Sequence, residues 1–177
     1  MADTIRDLTA LLALLADNTS GDISPQDMRD VLVSLHGVYG EIYVADGSTA
    51  QSSLGTTPTK MTGFAANGES SGTTPDHTND QITVGTAGKY LVDFDVSFSG
   101  TGGATMKFHL RVNDGEQAKA ALVRKLGVGG DVGNAGFACI MSLSANDVLT
   151  VYVETDNAGG TDSITPEDAH LRVRRIG

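Results

Sequence analysis

Asp93 and Asp95 stand two residues apart in the run YLVDFDVSF, and in an extended strand that spacing puts both carboxylates on one face. Paired carboxylates of this kind can act as acid and base in glycoside hydrolysis. A sugar-cleaving site also needs a stacking platform, and the chain has no Trp and only 5% aromatic residues. The pair therefore reads as a solvated strand face. Asp76-His77 with Asn79-Asp80, and the Gly-rich stretch from Asp156 to Asp162, gather oxygen donors of the sort that ligate calcium. Polar turn chemistry accounts for the same residues. His36, His77, His109 and His170 fall in separate segments without a second ligand at a diagnostic spacing, which points to structural roles. The run GVGGDVGNAG (127–136) departs from the G-x-G-x-x-G spacing and leads into a strand, so it reads as a connecting loop and not a phosphate cradle. Cys139, the single cysteine, sits in the alternating run GFACIMSLS and reads as a small apolar core residue. No catalytic residue, metal ligand or cofactor site is expected, and the chain reads as a non-enzyme.

A formal net charge of −10 and a pI near 4.6 repel phosphate backbones, which argues against a nucleic-acid partner. No apolar run reaches the eighteen or so residues of a membrane span, and LTALLALLA follows the acidic Asp3 and Asp7 instead of a basic segment. Neither an anchor nor a secretory leader is expected. At 177 residues the chain has room for one full domain with an appendage.

The appendage is read as 1–38 and is helical. Thr4 can cap a helix carrying Ile5, Leu8, Leu11, Leu12 and Leu15 on one stripe. A second helix has Ser24 as N-cap, Pro25 at its first position and Asp27 to complete a capping box, with Met28, Val31, Leu32 and Leu35 on one face. It should run from about Pro25 to His36 and stop at Gly37. From 39 to 177 the pattern is that of strands separated by Gly, Thr, Asn and Asp. Tyr90, Val92, Phe94, Val96 and Phe98 alternate with polar positions, as do Met106, Phe108, Leu110 and Val112. Asn113-Asp114-Gly115 predicts a hairpin onto residues from about Gln117 to Leu126. Further strands are predicted over Phe137–Leu143, over VLTVYVET and over the closing HLRVRRI. Residues 45–80 read as short strands and long loops.

Gly88-Lys89-Tyr90 within QITVGTAGKYLVDFDVSFSG, and Asn146-Asp147-Val148 entering LSANDVLTVYVE, resemble the tumour necrosis factor-like jelly roll shared with complement-type globular heads. The resemblance spans roughly 40–176 and implies an all-β, antiparallel β-sandwich preceded by the helical segment. Asp22 to Val44 resembles a helix-then-strand segment of small phage-encoded structural proteins carrying such jelly rolls. That resemblance implies a virion structural protein made in the host cytoplasm and held on the capsid exterior as decoration or cement. The alternative within virions is a host-recognition tip of a short fibre or spike.

Jelly rolls of this family pack as trimers, so a homotrimer is implied. Strands apolar on both faces, such as Leu91 opposite Val92 and Val151 and Val153 beside Tyr152, need more cover than one sandwich gives. Tyr90, Leu91, Val151, Tyr152 and Val153 are therefore candidate trimer contacts. Leu8, Leu11, Leu12, Leu15, Met28, Val31, Leu32 and Leu35 are the candidate attachment residues for a major capsid protein or another virion protein. Arg172, Arg174 and Arg175 form the basic cluster of an acidic chain. They suit docking to an acidic patch or guarding an edge strand against stray pairing.

Overall fold

The computed structural model describes Ala10, Ala13, the helix with its preceding Ser24, and residues 37–177. The expected first helix, with Leu8, Leu11, Leu12 and Leu15, lies outside the described residues, as does His36. Helix α1 runs Pro25–Leu35. Its start follows from the capping box: Ser24 Oγ accepts from the Asp27 amide at 3.1 Å, and Asp27 Oδ2 accepts from the Ser24 amide at 2.8 Å. Gly37 takes φ +85°, a left-handed conformation that costs a glycine little.

Twelve strands follow: β1 Tyr39–Val44, β2 Gln51–Leu54, β3 Thr59–Lys60, β4 Ala66–Asn67, β5 Thr73–Asp76, β6 Gln81–Val84, β7 Gly88–Gly100, β8 Thr105–Val112, β9 Gly115–Lys125, β10 Gly133–Leu143, β11 Val148–Thr155 and β12 Asp162–Arg175. All pairings are antiparallel. One sheet has the order β10-β7-β12-β1-β4, with β2 also on β12; the other has β5-β6-β11-β8-β9, with β3 also on β11. From β6 to β12 the chain crosses between sheets at almost every connection and returns along β8 to β9 within one sheet. The two sheets face each other, and the architecture is a jelly-roll β-sandwich.

Period-2 alternation decides what enters the core. Tyr90, Val92, Phe94, Val96 and Phe98 of β7 point inward, as do Leu171 and Val173 of β12, against Met106, Phe108 and Leu110 of β8 and Leu149, Val151 and Val153 of β11. Phe108 packs between Phe98 and Phe94 of the opposite sheet, with ring centroids 5.1 and 5.8 Å away. The Tyr90 hydroxyl is satisfied at the core's rim, donating to the Thr86 carbonyl at 2.6 Å.

Two predicted boundaries shift. β10 begins at Gly133, inside the segment read as a loop, because Gly133 and Gly136 lie close against β7 and pair with Phe98 and Asp95. β12 begins at Asp162, well before His170. Pro166 lacks an N–H, and the strand continues past it through a register shift between Pro166 and Asp168.

Candidate functional site

With the even-numbered residues of β7 committed to the core, its odd-numbered residues face outward, and the register across the first sheet fixes their neighbours. Ile140, Leu91, Arg174 and Tyr39 form one row; Ala138, Asp93, Arg172 and Glu41 the next; Gly136, Asp95, His170 and Tyr43 a third. Arg172 thus lies amid three carboxylates. Its Nε is 3.4 Å from Glu41 Oε1 and 3.4 Å from Asp93 Oδ1, and its terminal nitrogen bonds Asp95 Oδ2. Asp95 Oδ1 also meets His170 Nδ1 at 3.2 Å, and the His170 ring stacks on Tyr43 with centroids 6.0 Å apart. Burial raises the Asp93 carboxyl above its ordinary value, with Arg172 opposing the shift. Asp93 and Asp95 are thus partners of a guanidinium and not a free acid-base pair.

The same placement corrects the reading of the arginines as guards of an edge. β12 lies inside its sheet between β7 and β1, so its backbone is paired on both sides. Arg172 stabilises neighbouring strands across the sheet. Arg174 stands exposed at the end of that face.

On the outer face of the second sheet, the period-2 rule would put His109 in solvent between Lys107 and Arg111. The residue is fully buried instead. Its ring stacks on Tyr152, with centroids 6.1 Å apart, and Arg111 lies over Tyr152 at 4.1 Å from the ring centroid. Lys107 bridges overhead to Glu154 at 2.7 Å and Glu116 at 3.5 Å. Long side chains from β8, β9 and β11 therefore roof a residue that the strand pattern directs outward. Neither ring nitrogen of His109 has a hydrogen-bond partner among the described residues, and burial lowers its pKa. Sequence gives no signal for this, because the roof is assembled from three strands.

The candidate trimer contacts divide sharply. Tyr90, Val151 and Val153 have at most 1% of their surface exposed and belong to the protomer's own core, so they have no area to offer a neighbour. The alternation that suggested two apolar faces is used up within one sandwich. Leu91 and Tyr152 keep partial exposure on opposite sheets. Of the candidate attachment residues on α1, Met28 and Leu32 are exposed at 48% and 52%, and Val31 is half-buried.

The polar clusters weighed as calcium ligands serve turns. Asp76 accepts from the amide and side chain of Asn79 at 3.1 and 2.7 Å, which lowers its pKa. Asp80 accepts from the Phe64 amide and Asp156 from the Thr105 amide. Among the described residues no group of three His, Cys, Asp or Glu side chains is placed to hold a metal ion. His77 contacts the Asn67 side chain at 3.1 Å. Cys139 is half-buried against the core, and burial raises its thiol pKa.

A surface that sequence reasoning missed lies where the edges of the two sheets meet. β9 and β10 run beside each other there, exposing Val123 at 64% and Ile140 at 56%, with Val128 and Val132 exposed at 85% and 47% in the connection between them. Ile140 adjoins Leu91 across the β10–β7 pair on the outer face of the first sheet, while Val123 pairs with Lys107 on the second. The mutual position of β9 and β10 is a tertiary fact.

No protein-family model matches the chain, and no curated protein sequence matches it. Solved structures do. The Eiger tumour necrosis factor from S. frugiperda superposes with a TM-score of 0.58 at 14% identity, over 80% of this chain and 93% of the other. Murine APRIL superposes with a TM-score of 0.51 at 14% identity, over 78% of this chain and 99% of the other. With the strand order β10-β7-β12-β1 packed on β6-β11-β8-β9, these likenesses establish the fold as a tumour necrosis factor-like jelly roll.

Proposed function

We propose that this chain is a binding and assembly module: a homotrimeric jelly-roll knob that attaches to a larger particle through α1 and the segment preceding it. The observation that carries the reading is the exposure of Val123, Val128, Val132 and Ile140 along the β9–β10 edge, with Leu91 beside Ile140 on the outer face of the first sheet. These side chains occupy a sandwich edge and the sheet face next to it. When the edge of one protomer meets the face of the next, the contact is head-to-tail and must close into a ring or propagate as a fibre. Closure after three steps gives the trimer that the fold suggests. Each Val, Leu or Ile buried there contributes about 1.5–3 kcal/mol before ordering costs.

The exposed Met28 and Leu32 on α1 supply a second apolar contact, which a trimer would present three times, adding avidity to a modest single-site affinity. In its fuller form the proposal places the knob on a phage capsid exterior, as a decoration protein held by the major capsid protein. The Asp22 to Val44 resemblance supports that step.

Light scattering coupled to size exclusion tests the assembly. Three times 18.3 kDa is expected for the chain, and a monomer mass for the pair Val123→Asp and Ile140→Asp. A wild-type monomer at micromolar concentration overturns the trimer. Attachment is tested separately by cosedimentation with capsids lacking this protein. Met28→Asp with Leu32→Asp should abolish binding while leaving the trimer intact; undiminished cosedimentation refutes the role of α1.

A further inference from the structure

β10 is an edge strand of the first sheet, and the parity of the ladder fixes which of its main-chain groups lie free. In an antiparallel sheet the N–H and C=O of one residue point to the same side, and the side alternates along the strand. Tyr39 exchanges N–H···O bonds with Ser71 at 2.9 and 2.8 Å, so its main chain faces away from β12. Along the row Tyr39, Arg174, Leu91 and Ile140, the main chains of Arg174 and Leu91 then face each other, and that of Ile140 faces away from β7. Lys119 agrees with this, reaching from β9 to donate to the Ile140 carbonyl. Asn134, Gly136 and Ala138 share the parity of Ile140, because β10 pairs with β7 without a register shift. All three are exposed, and at Gly136 that exposure is main chain. Among the described residues nothing bonds their main chain on the free side.

Edges of this kind are normally blunted by charge, by proline or by brevity. β10 runs for 11 residues with neither a charged residue nor a proline, and Lys119 covers one carbonyl. Its two flanks define what fits beside it. On the inner flank Ala135, Phe137 and Cys139 are only half-buried against the core, so the apolar layer stays open along this strand. On the outer flank Ala138 pairs with Asp93 and Gly136 with Asp95, and such small residues leave both carboxylates open from the edge side. Glu41, Asp93 and Asp95 outnumber the Arg172 guanidinium they surround, so this part of the face keeps an excess of negative charge. A strand added to β10 stands two strand spacings, roughly 10 Å, from β7, which a lysine or arginine side chain spans. In antiparallel addition, the residues that bond Gly136 and Ala138 carry their side chains on that acidic outer face.

From this we infer that the free edge of β10 binds an extended segment of another protein as an added antiparallel strand, one whose residues alternate between basic and apolar. Main-chain bonds to Asn134, Gly136 and Ala138 supply the affinity. Basic side chains meet Asp93 and Asp95, and apolar ones close over Phe137 and Cys139. The inference does not rest on the ring proposed above, since the edge belongs to one protomer. A neighbouring copy in that ring lies along the same edge, so segment and neighbour exclude each other.

A capped octapeptide alternating lysine and valine, titrated into the isotope-labelled full chain under amide NMR, tests it. The amide signals of Asn134, Gly136 and Ala138 should shift ahead of those of Phe137 and Cys139, whose amides face β7. Glutamate in place of lysine should abolish binding. N-methylation of the lysine main-chain nitrogens should do the same, because it removes the N–H groups that face β10 and leaves the charge. Ala138→Pro takes one N–H from the free edge and spares the ladder to β7, so it should weaken binding about tenfold with circular dichroism unchanged. Where the free chain is a trimer, saturating peptide should lower its light-scattering mass toward that of one protomer. The proposal is overturned by unmoved signals at Asn134, Gly136 and Ala138, or by undiminished binding of the glutamate or N-methylated peptide or of the folded proline variant. A trimer that binds the peptide intact also overturns it, as does a peptide-free dimer in which those three amides are protected by β10 pairing with itself. A monomer that binds the peptide supports the added strand and refutes only the ring.

Discussion

Replacing His109 by Phe should stabilise the protein, and the gain should grow as the pH falls. The wild-type ring is fully buried with two nitrogens that find no partner, and its stacking on Tyr152 does not need them. An unsatisfied buried polar group costs about 1–3 kcal/mol. Phe keeps the ring stacking but is slightly larger, and overpacking returns about 1 kcal/mol of strain. A net gain of about 1 kcal/mol is therefore expected at pH 7.5. Burial holds the imidazole below its ordinary 6.5, so the unfolded chain takes up the proton first on acidification. The stability contributed by neutral His109 is complete above pH 6.5 and is lost as the pH falls toward the folded value, by up to about 1.4 kcal/mol per pH unit. The charges facing it from the packed strands are Lys107, Arg111, Glu116 and Glu154, all retained in the variant. Asp80 and Asp93, whose pKa values burial raises, respond in both proteins and cancel in the difference. Urea unfolding followed by circular dichroism at pH 7.5, 6.5 and 5.5, at one fixed protomer concentration, measures the gap directly. A gap that does not widen toward pH 5.5, or a variant less stable at every pH, refutes the account of His109.

Arg172→Ala should destabilise by about 1 kcal/mol, a modest figure because the side chain is substantially exposed; added salt should shrink the loss, since screening relieves the repulsion left among Glu41, Asp93 and Asp95. Gly40→Ala should cost about 1–3 kcal/mol in denaturant unfolding. A Cβ there would lie 2.1 Å from Thr73 Oγ1, the atom that donates to the Tyr39 carbonyl, so β5 would have to move off β1. Cys139 should react slowly with a thiol reagent at neutral pH in the folded protein and quickly in urea, because burial raises its pKa; equal rates would contradict the placement of the thiol.

Features whose physics is local were legible in the residues alone. The α1 capping box is made by residues three apart, and it formed as Ser24 and Asp27 predict. The inward face of β7 followed from alternation alone, and β11 occupies the eight residues of VLTVYVET because both ends carry their own turn chemistry. Partners across the sheet are another matter, since strand pairing joins residues far apart in the chain and no periodicity names the neighbour. Only the tertiary structure put Arg172 among Glu41, Asp93 and Asp95, and moved Tyr90, Val151 and Val153 from a subunit boundary into the core. Burial of an outward-facing residue is likewise decided by what arches over it: His109 disappears beneath Lys107, Arg111 and Tyr152. A strand's own pattern fixes which way a side chain points, and what waits there is supplied by other strands.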